Sequence, residues 1–264
     1  MPNPHGTPIW YELMTADPNA AKVFYDKAVG WTIAAEPAMP GMDYRMIATS
    51  DGDHVGGVMR LTEDMLKGGA KPGWFFYIGV DDVDATVARA EAAGASVAMP
   101  AWTIEGIGRM ALLRDPQGIP FYVMRGASEE SSTAFERAGL GKCNWNELST
   151  EDQQGALDFY GKLFGWEYPE KMPMGPMGDY VFIDVAGQRI GAIMQRPKDS
   201  PPANWRFYFR SPDVEAAADK VKQGGGVVLA GPHEVPGGDR IIVINDPEGA
   251  SVGIVGPGQL GEAQ

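Results

Sequence analysis

Residues 9–14, Ile-Trp-Tyr-Glu-Leu-Met, alternate Trp10, Glu12 and Met14 against Ile9, Tyr11 and Leu13, a period of two in β-favouring residues that predicts a strand. A helix follows. Asp17 is placed to cap it, Pro18 suits its first position, Ala21, Phe24, Tyr25 and Ala28 recur at three and four, and Gly30 ends the run. Short strands are predicted at 32–34, 44–49 and 55–61 between Pro-Gly and Asp-Gly turns. The same order then returns: a strand at 74–80, a helix at 83–93 capped by Asp81 or Asp82, and strands near Ser96, at 109–114 and at 119–124. Each half of this stretch is one βαβββ unit.

The whole pattern is then repeated. Trp10, Glu12, Leu13, Phe24, Tyr25, Gly30 and Trp31 reappear 135 positions later as Trp145, Glu147, Leu148, Phe159, Tyr160, Gly165 and Trp166. Asp43-Tyr44 answers to Asp179-Tyr180, Trp74 to Trp205, and Asp115-Pro-Gln-Gly118 to Asp246-Pro-Glu-Gly249. Helices are expected at 153–164 and 214–223. A fixed internal period decides the architecture before any other feature. The chain reads as a tandem duplication: a first module over 1–125, a polar linker over 126–141, a second module over 142–258 and a tail over 259–264.

Four βαβββ units, a first strand followed by Asp-x-x-x-Ala-x-x-Phe-Tyr and Gly-Trp, and an Asp-Pro-x-Gly turn before the last strand of each module together resemble the vicinal oxygen chelate superfamily. That group includes glyoxalase I, bleomycin-resistance proteins and extradiol dioxygenases. The resemblance covers all but the linker and termini. It implies an α+β fold of two tandem glyoxalase-like modules with cup-shaped, mostly antiparallel sheets. The match is closest to duplicated bacterial proteins related to lactoylglutathione lyase. Function follows less directly, because one scaffold carries many chemistries.

The metal-dependent members of that superfamily place His, Gln or Glu on the inner face of the cup. The resemblance puts those positions at Trp10, Phe75 and Tyr122 in the first module and at Trp145, Arg206 and Gly253 in the second. None is an ordinary ligand for a divalent ion. His5, His54 and His233 lie in loops without ligand spacing, so no metal site and no cofactor are expected.

Parity then shows what the cups hold instead: Trp10, Glu12, Phe75, Tyr77 and Tyr122 in one, Trp145, Glu147, Arg206 and Tyr208 in the other. The bland account is that the aromatics fill the core. A carboxylate beside Trp on a half-buried strand still needs a partner, and Arg109 and Arg240 are the candidates. The functional account is an apolar pocket with a few polar groups, the usual build of a small-molecule site. Loops at 100–108 and 232–238, carrying Trp102 and His233, are expected over the cup mouths. The expected partner is a small aromatic or carbonyl-bearing molecule, held without turnover or transformed. If it is transformed, the reaction is that of a glyoxalase-like lyase or isomerase with Glu12 or Glu147 as general base.

Composition narrows this further. A net charge of −13 disfavours nucleic acid. No apolar run suggests a membrane span, and the start lacks the features of a secretory signal, so a cytoplasmic address is expected. The single cysteine, Cys143, excludes an intrachain disulfide and reads as a small core residue. Either a monomer of two pseudo-symmetric modules or a homodimer fits the repeat.

Overall fold

The structure is a computed structural model that describes residues 3–258, so the expected tail over 259–264 lies outside the described residues. The first half of the chain runs β1 (Pro8–Thr15), α1 (Pro18–Ala28), β2 (Thr32–Ile33), β3 (Tyr44–Ala48), β4 (His54–Arg60), α2 (Glu63–Lys67), β5 (Gly73–Gly79), α3 (Val83–Ala92), β6 (Ser96–Ile104), β7 (Gly108–Arg114) and β8 (Pro120–Gly126). The second runs β9 (Cys143–Thr150), α4 (Gln153–Phe164), β10 (Lys171–Pro173), β11 (Asp179–Val185), β12 (Gln188–Gln195), β13 (Asn204–Arg210), α5 (Val214–Gln223), β14 (Val227–Glu234), β15 (Arg240–Asn245) and β16 (Ser251–Gly256). Two eight-stranded sheets result, ordered β2-β3-β4-β1-β5-β8-β7-β6 and β10-β11-β12-β9-β13-β16-β15-β14. Their hairpins are antiparallel, while β1·β4, β5·β8, β9·β12 and β13·β16 are parallel.

Each of the four long helices opens on an aspartate. Asp17 accepts from the amides of Asn19 and Ala20, Asp82 from Ala85, Asp152 from Gly155 and Asp213 from Ala216. These carboxylates satisfy donors that a helix start otherwise leaves unpaired, which is why the helix starts were legible in the sequence. One expectation over-read the loops. The segment at 100–108 is largely strand, because β6 runs to Ile104 and β7 starts at Gly108, whereas in 232–238 β14 ends at Glu234 and a turn follows; each of the two strands β6 and β14 has two register shifts in its pairing. His5 lies in a turn as expected and is half-buried, with Nε2 3.2 Å from the Leu163 carbonyl oxygen. Among the described residues no helix is long and apolar enough to cross a membrane.

The compact units do not follow the order of the repeat. Among the described residues one comprises 3–10, 75–132 and 145–206, and the other 11–74, 133–144 and 207–258. Each joins half of one module to half of the other, and each has its own core. In the first unit α3 packs on α4, and Phe121, Phe159, Tyr160, Phe164, Trp166 and Trp205 form one aromatic cluster. In the second α1 packs on α5, with Tyr11, Tyr25, Trp31, Trp74 and Phe209 clustered. Burial of this aromatic area is the main stabilising term in either unit.

A hydrogen-bonded relay sits in each core and explains why the repeat keeps its motifs. In the first unit Trp205 Nε1 donates to Tyr160 Oη at 3.1 Å, and Tyr160 donates to Asp115 Oδ2 at 3.1 Å. Asp115 Oδ1 closes the Asp-Pro-x-Gly turn by accepting from Gln117 and Ile119, both at 2.9 Å. In the second unit Trp74 donates to Tyr25 at 3.0 Å, Tyr25 to Asp246 at 3.0 Å, and Asp246 accepts from Glu248 at 2.9 Å and Ala250 at 2.8 Å. The turns need glycine at their fourth position, where Gly118 and Gly249 have φ of 84° and 91°. Burial pushes the carboxyls of Asp115 and Asp246 above the usual aspartate range and the phenols of Tyr25 and Tyr160 well above theirs.

Candidate functional site

Along β9 the residues Asn144, Asn146 and Leu148 are buried, while Trp145, Glu147 and Ser149 are half-buried. The strand therefore turns one face into packed protein and the other toward a more open side, which is the cup face. β11 repeats the alternation, with Val181 and Ile183 buried and Tyr180 and Phe182 half-buried. Between them in the sheet, β12 contributes Ala192, paired in register with Phe182 on one side and Glu147 on the other. Arg206 reaches the same face from β13. Trp145, Glu147, Tyr180, Phe182, Ala192 and Arg206 all belong to the first compact unit.

Their side chains form a continuous polar chain. Trp145 Nε1 donates to Tyr180 Oη at 2.8 Å, Tyr180 Oη donates to Glu147 Oε2 at 2.8 Å, and Arg206 Nη1 donates to Glu147 Oε1 at 3.1 Å. The Glu147 and Arg206 side chains are 13% and 15% exposed, so the pair is sheltered but not sealed from solvent. Phe182 stands at 81° to Trp145 and 82° to Tyr180. Arg189 lies over the Phe182 ring at 4.5 Å and is held by Asp184 and Glu170.

The aromatic residues of β5 to β8 are arranged differently. Tyr77 and Tyr122 stack at 4.2 Å with planes 3° apart, and both are buried. Phe75 and Trp102 meet Tyr122 edge-on at 6.2 and 6.3 Å. Tyr77 and Tyr122 are core, while Phe75 and Trp102 are half-buried at its edge. Trp10, half-buried, lies in the same unit.

In the second unit Glu12 is 2% exposed, and its register partner is Gly57, where the Tyr44 ring leaves no room for a Cβ. Tyr44 thus occupies the place over Gly57 that corresponds to Tyr180 on the later sheet. Tyr208 lies in this unit too, against Gly253, where its ring likewise leaves no room for a Cβ. His233 is exposed on β14.

The expected arginine partners are corrected. Arg109 pairs with Asp84 of α3 at 2.6 Å, and Arg240 pairs with Glu215 of α5. Strand position is the reason: each arginine sits at the start of its strand, within reach of the first turn of the helix that precedes it. Arg206, expected as a ligand contact, is the partner of Glu147. Tyr180 and Phe182 were missed, although the repeated Asp-Tyr pair at 43–44 and 179–180 already marked the first of them.

Fold, repeat and site together place the chain in a family. A model of the Glyoxalase/Bleomycin resistance protein/Dioxygenase superfamily matches residues 8–123 and again 142–254, and the chain belongs to that superfamily. It is 32% identical over 252 residues to the putative glyoxylase CFP32 of Mycobacterium tuberculosis, covering 96% of this chain and 95% of that one. It is 31% identical over 269 residues to the anthracycline biosynthesis protein DnrV of Streptomyces peucetius, covering 95% and 93%. The Mn(II)-bound glyoxalase from Novosphingobium aromaticivorans shares the fold with a TM-score of 0.64 at 21% identity, over 96% of this chain and 82% of that one.

Proposed function

We propose that the protein is a metal-independent member of its superfamily that binds a small aromatic or carbonyl-bearing molecule on the cup face of the later sheet. The observation that carries this reading is the chain Trp145–Tyr180–Glu147–Arg206, hydrogen-bonded end to end on a half-open aromatic face. A largely apolar surface with a few fixed polar groups is how small-molecule sites are built. Tyr180 and Arg206 hold Glu147 at both oxygens, so the carboxylate orients its neighbours and the guanidinium offers a donor for a ligand oxygen. An anthracycline is itself an aromatic, carbonyl-bearing molecule, and the name of the Streptomyces relative is in line with this ligand class.

The donor set supports the metal-independent half of the reading. An indole N–H and a guanidinium have no lone pair to give, and phenylalanine and glycine side chains have no donor at all. Trp10, Phe75, Trp145, Arg206 and Gly253 therefore do not fit a divalent ion at the positions where metal-dependent members bind one. Among the described residues no three His, Cys, Asp or Glu side chains converge as a metal-binding group. Metal analysis of the purified protein tests this: a stoichiometric divalent metal would overturn it.

A second reading is a glyoxalase-like lyase or isomerase with Glu147 as base. Tyr180 and Arg206, two donors beside the carboxylate, favour it because they could stabilise a developing oxyanion. Glu12, almost wholly buried, is the poorer candidate base. Turnover of methylglyoxal with glutathione, abolished in Glu147→Gln, would establish the lyase. Binding of an aromatic ketone without turnover, weakened about tenfold in Arg206→Ala, would establish the binder.

A further inference from the structure

The rings of Trp145 and Tyr180 have planes only 6° apart, yet their centroids are separated by 6.5 Å. That separation is too long for face-to-face contact, which brings Tyr77 and Tyr122 to 4.2 Å. The 2.8 Å bond from Trp145 Nε1 to Tyr180 Oη resolves the geometry. An indole N–H lies in the plane of its ring, and a phenol oxygen lies in the plane of its own. A hydrogen bond between parallel rings of these two kinds sets them edge to edge. They make one flat floor about two rings long.

What lies under and beside the floor fixes its orientation. Ala192 is the register partner of both Phe182 and Glu147, and it is 0% exposed. A side chain that small is fully covered only when larger groups lie down over it. Phe182 stands perpendicular to both floor rings at 5.9 and 5.8 Å, and so forms a wall. Arg189, held by two carboxylates, stiffens that wall through its contact with the Phe182 ring.

We propose that this surface selects planar molecules of several fused rings that carry ketone or phenol oxygens, with the ring system lying along Trp145 and Tyr180 and an oxygen directed to Arg206. The proposal rests on the binding reading above and deepens it. A single six-membered ring covers one floor ring and forfeits the other. Two rings joined by one rotatable link twist out of plane and lose contact with one end. Only a rigid flat system matches both floor rings at once. Because Glu147 and Arg206 offset each other's charge, neutral carbonyl and phenol groups suit the site without a formal counter-charge.

The test is a matched series titrated into the full-length protein by calorimetry: dihydroxyanthraquinone, dihydroxybenzophenone and dihydroxyacetophenone. These share ketone and phenol oxygens and differ in fusion and ring number. Each further ring laid flat on the floor is expected to tighten binding about threefold to tenfold. The fused compound should therefore bind about tenfold or more tighter than the open benzophenone, with the acetophenone weakest. Tyr180→Leu and Trp145→Leu should each erase most of that preference and change acetophenone affinity far less. Equal affinity across the series, or an unchanged preference in both variants, would overturn the fused-ring inference and leave the binding reading standing. Failure of all three compounds to bind would overturn both. The wild-type series decides the matter by itself should either variant fold poorly.

Discussion

Two aromatic groups on the same compact unit solve the same problem in opposite ways. On β5 to β8, Tyr77 and Tyr122 stack face to face and are buried, with Phe75 and Trp102 against their edges. On β9 to β13, Trp145 and Tyr180 lie edge to edge, and Arg206 stands at the position that Phe75 holds in the other module. Stacking consumes the faces of the rings for stability. Edge-to-edge hydrogen bonding joins the two rings without stacking one face on the other. A duplicated scaffold can therefore bury one aromatic pair by stacking and leave another half-buried by changing a handful of side chains.

The contrast is broken most severely at the stack. Tyr122→Ala empties a buried site and should cost about 3–5 kcal/mol, read as a lower urea midpoint. Binding at the proposed Arg206 site should survive in whatever fraction stays folded. A loss below about 1 kcal/mol would mean the stack is not core.

Next in size is the ion pair of the open group. Arg206→Ala removes the cation from Glu147 in a sheltered setting and should cost about 1–3 kcal/mol. Adding Glu147→Gln to that variant should recover part of the loss, since the orphaned charge goes with it. A double variant no more stable than the single one would remove the pair from the account.

Smaller again is the relay behind both groups. Tyr160→Phe takes away one hydroxyl that both donates and accepts, for about 1–2 kcal/mol. Tyr25→Phe should cost a similar amount, because the second unit repeats the geometry. Clearly unequal losses would show that the two cores are not equivalent.

The smallest effect is a pH dependence at the relay aspartates. Burial raises the pKa of Asp115, so the folded protein keeps a proton that the unfolded chain gives up near pH ~4. Its contribution is complete below that pH and is lost as pH rises through the raised folded value. The urea midpoint of wild type minus that of Asp115→Asn should therefore decline from pH ~3 toward neutrality. A difference that grows with pH would contradict the buried, raised carboxyl.

The helices α4 and α5 fall on the residues expected, because an aspartate cap and a three-four apolar spacing act within a few residues of each other. The short α2, capped by Thr62, was missed because five residues carry too little periodicity. Trp145, Glu147 and Arg206 were on the expected face for a similarly local reason, strand parity. Tyr180 was not placed there, since its reach over Ala192 depends on which strand lies between β9 and β11. The wrong partners assigned to the glutamates came from neglecting the helices that stand beside the starts of β7 and β15.

The amino-acid sequence by itself determined the duplication, the four βαβββ units, the capped helices and the lack of ligand-type side chains at most of the cup positions. All of these rest on local chemistry or on counting along the chain. Only the tertiary structure decided which halves share a core. Tyr25 bonds Asp246 across 221 residues and Tyr160 bonds Asp115 across 45. A repeat cannot encode that choice in its motifs, because duplication gave both tyrosines the same hydroxyl and both turns the same carboxylate. Either pairing satisfies the same hydrogen bonds, so the decision falls to packing around them.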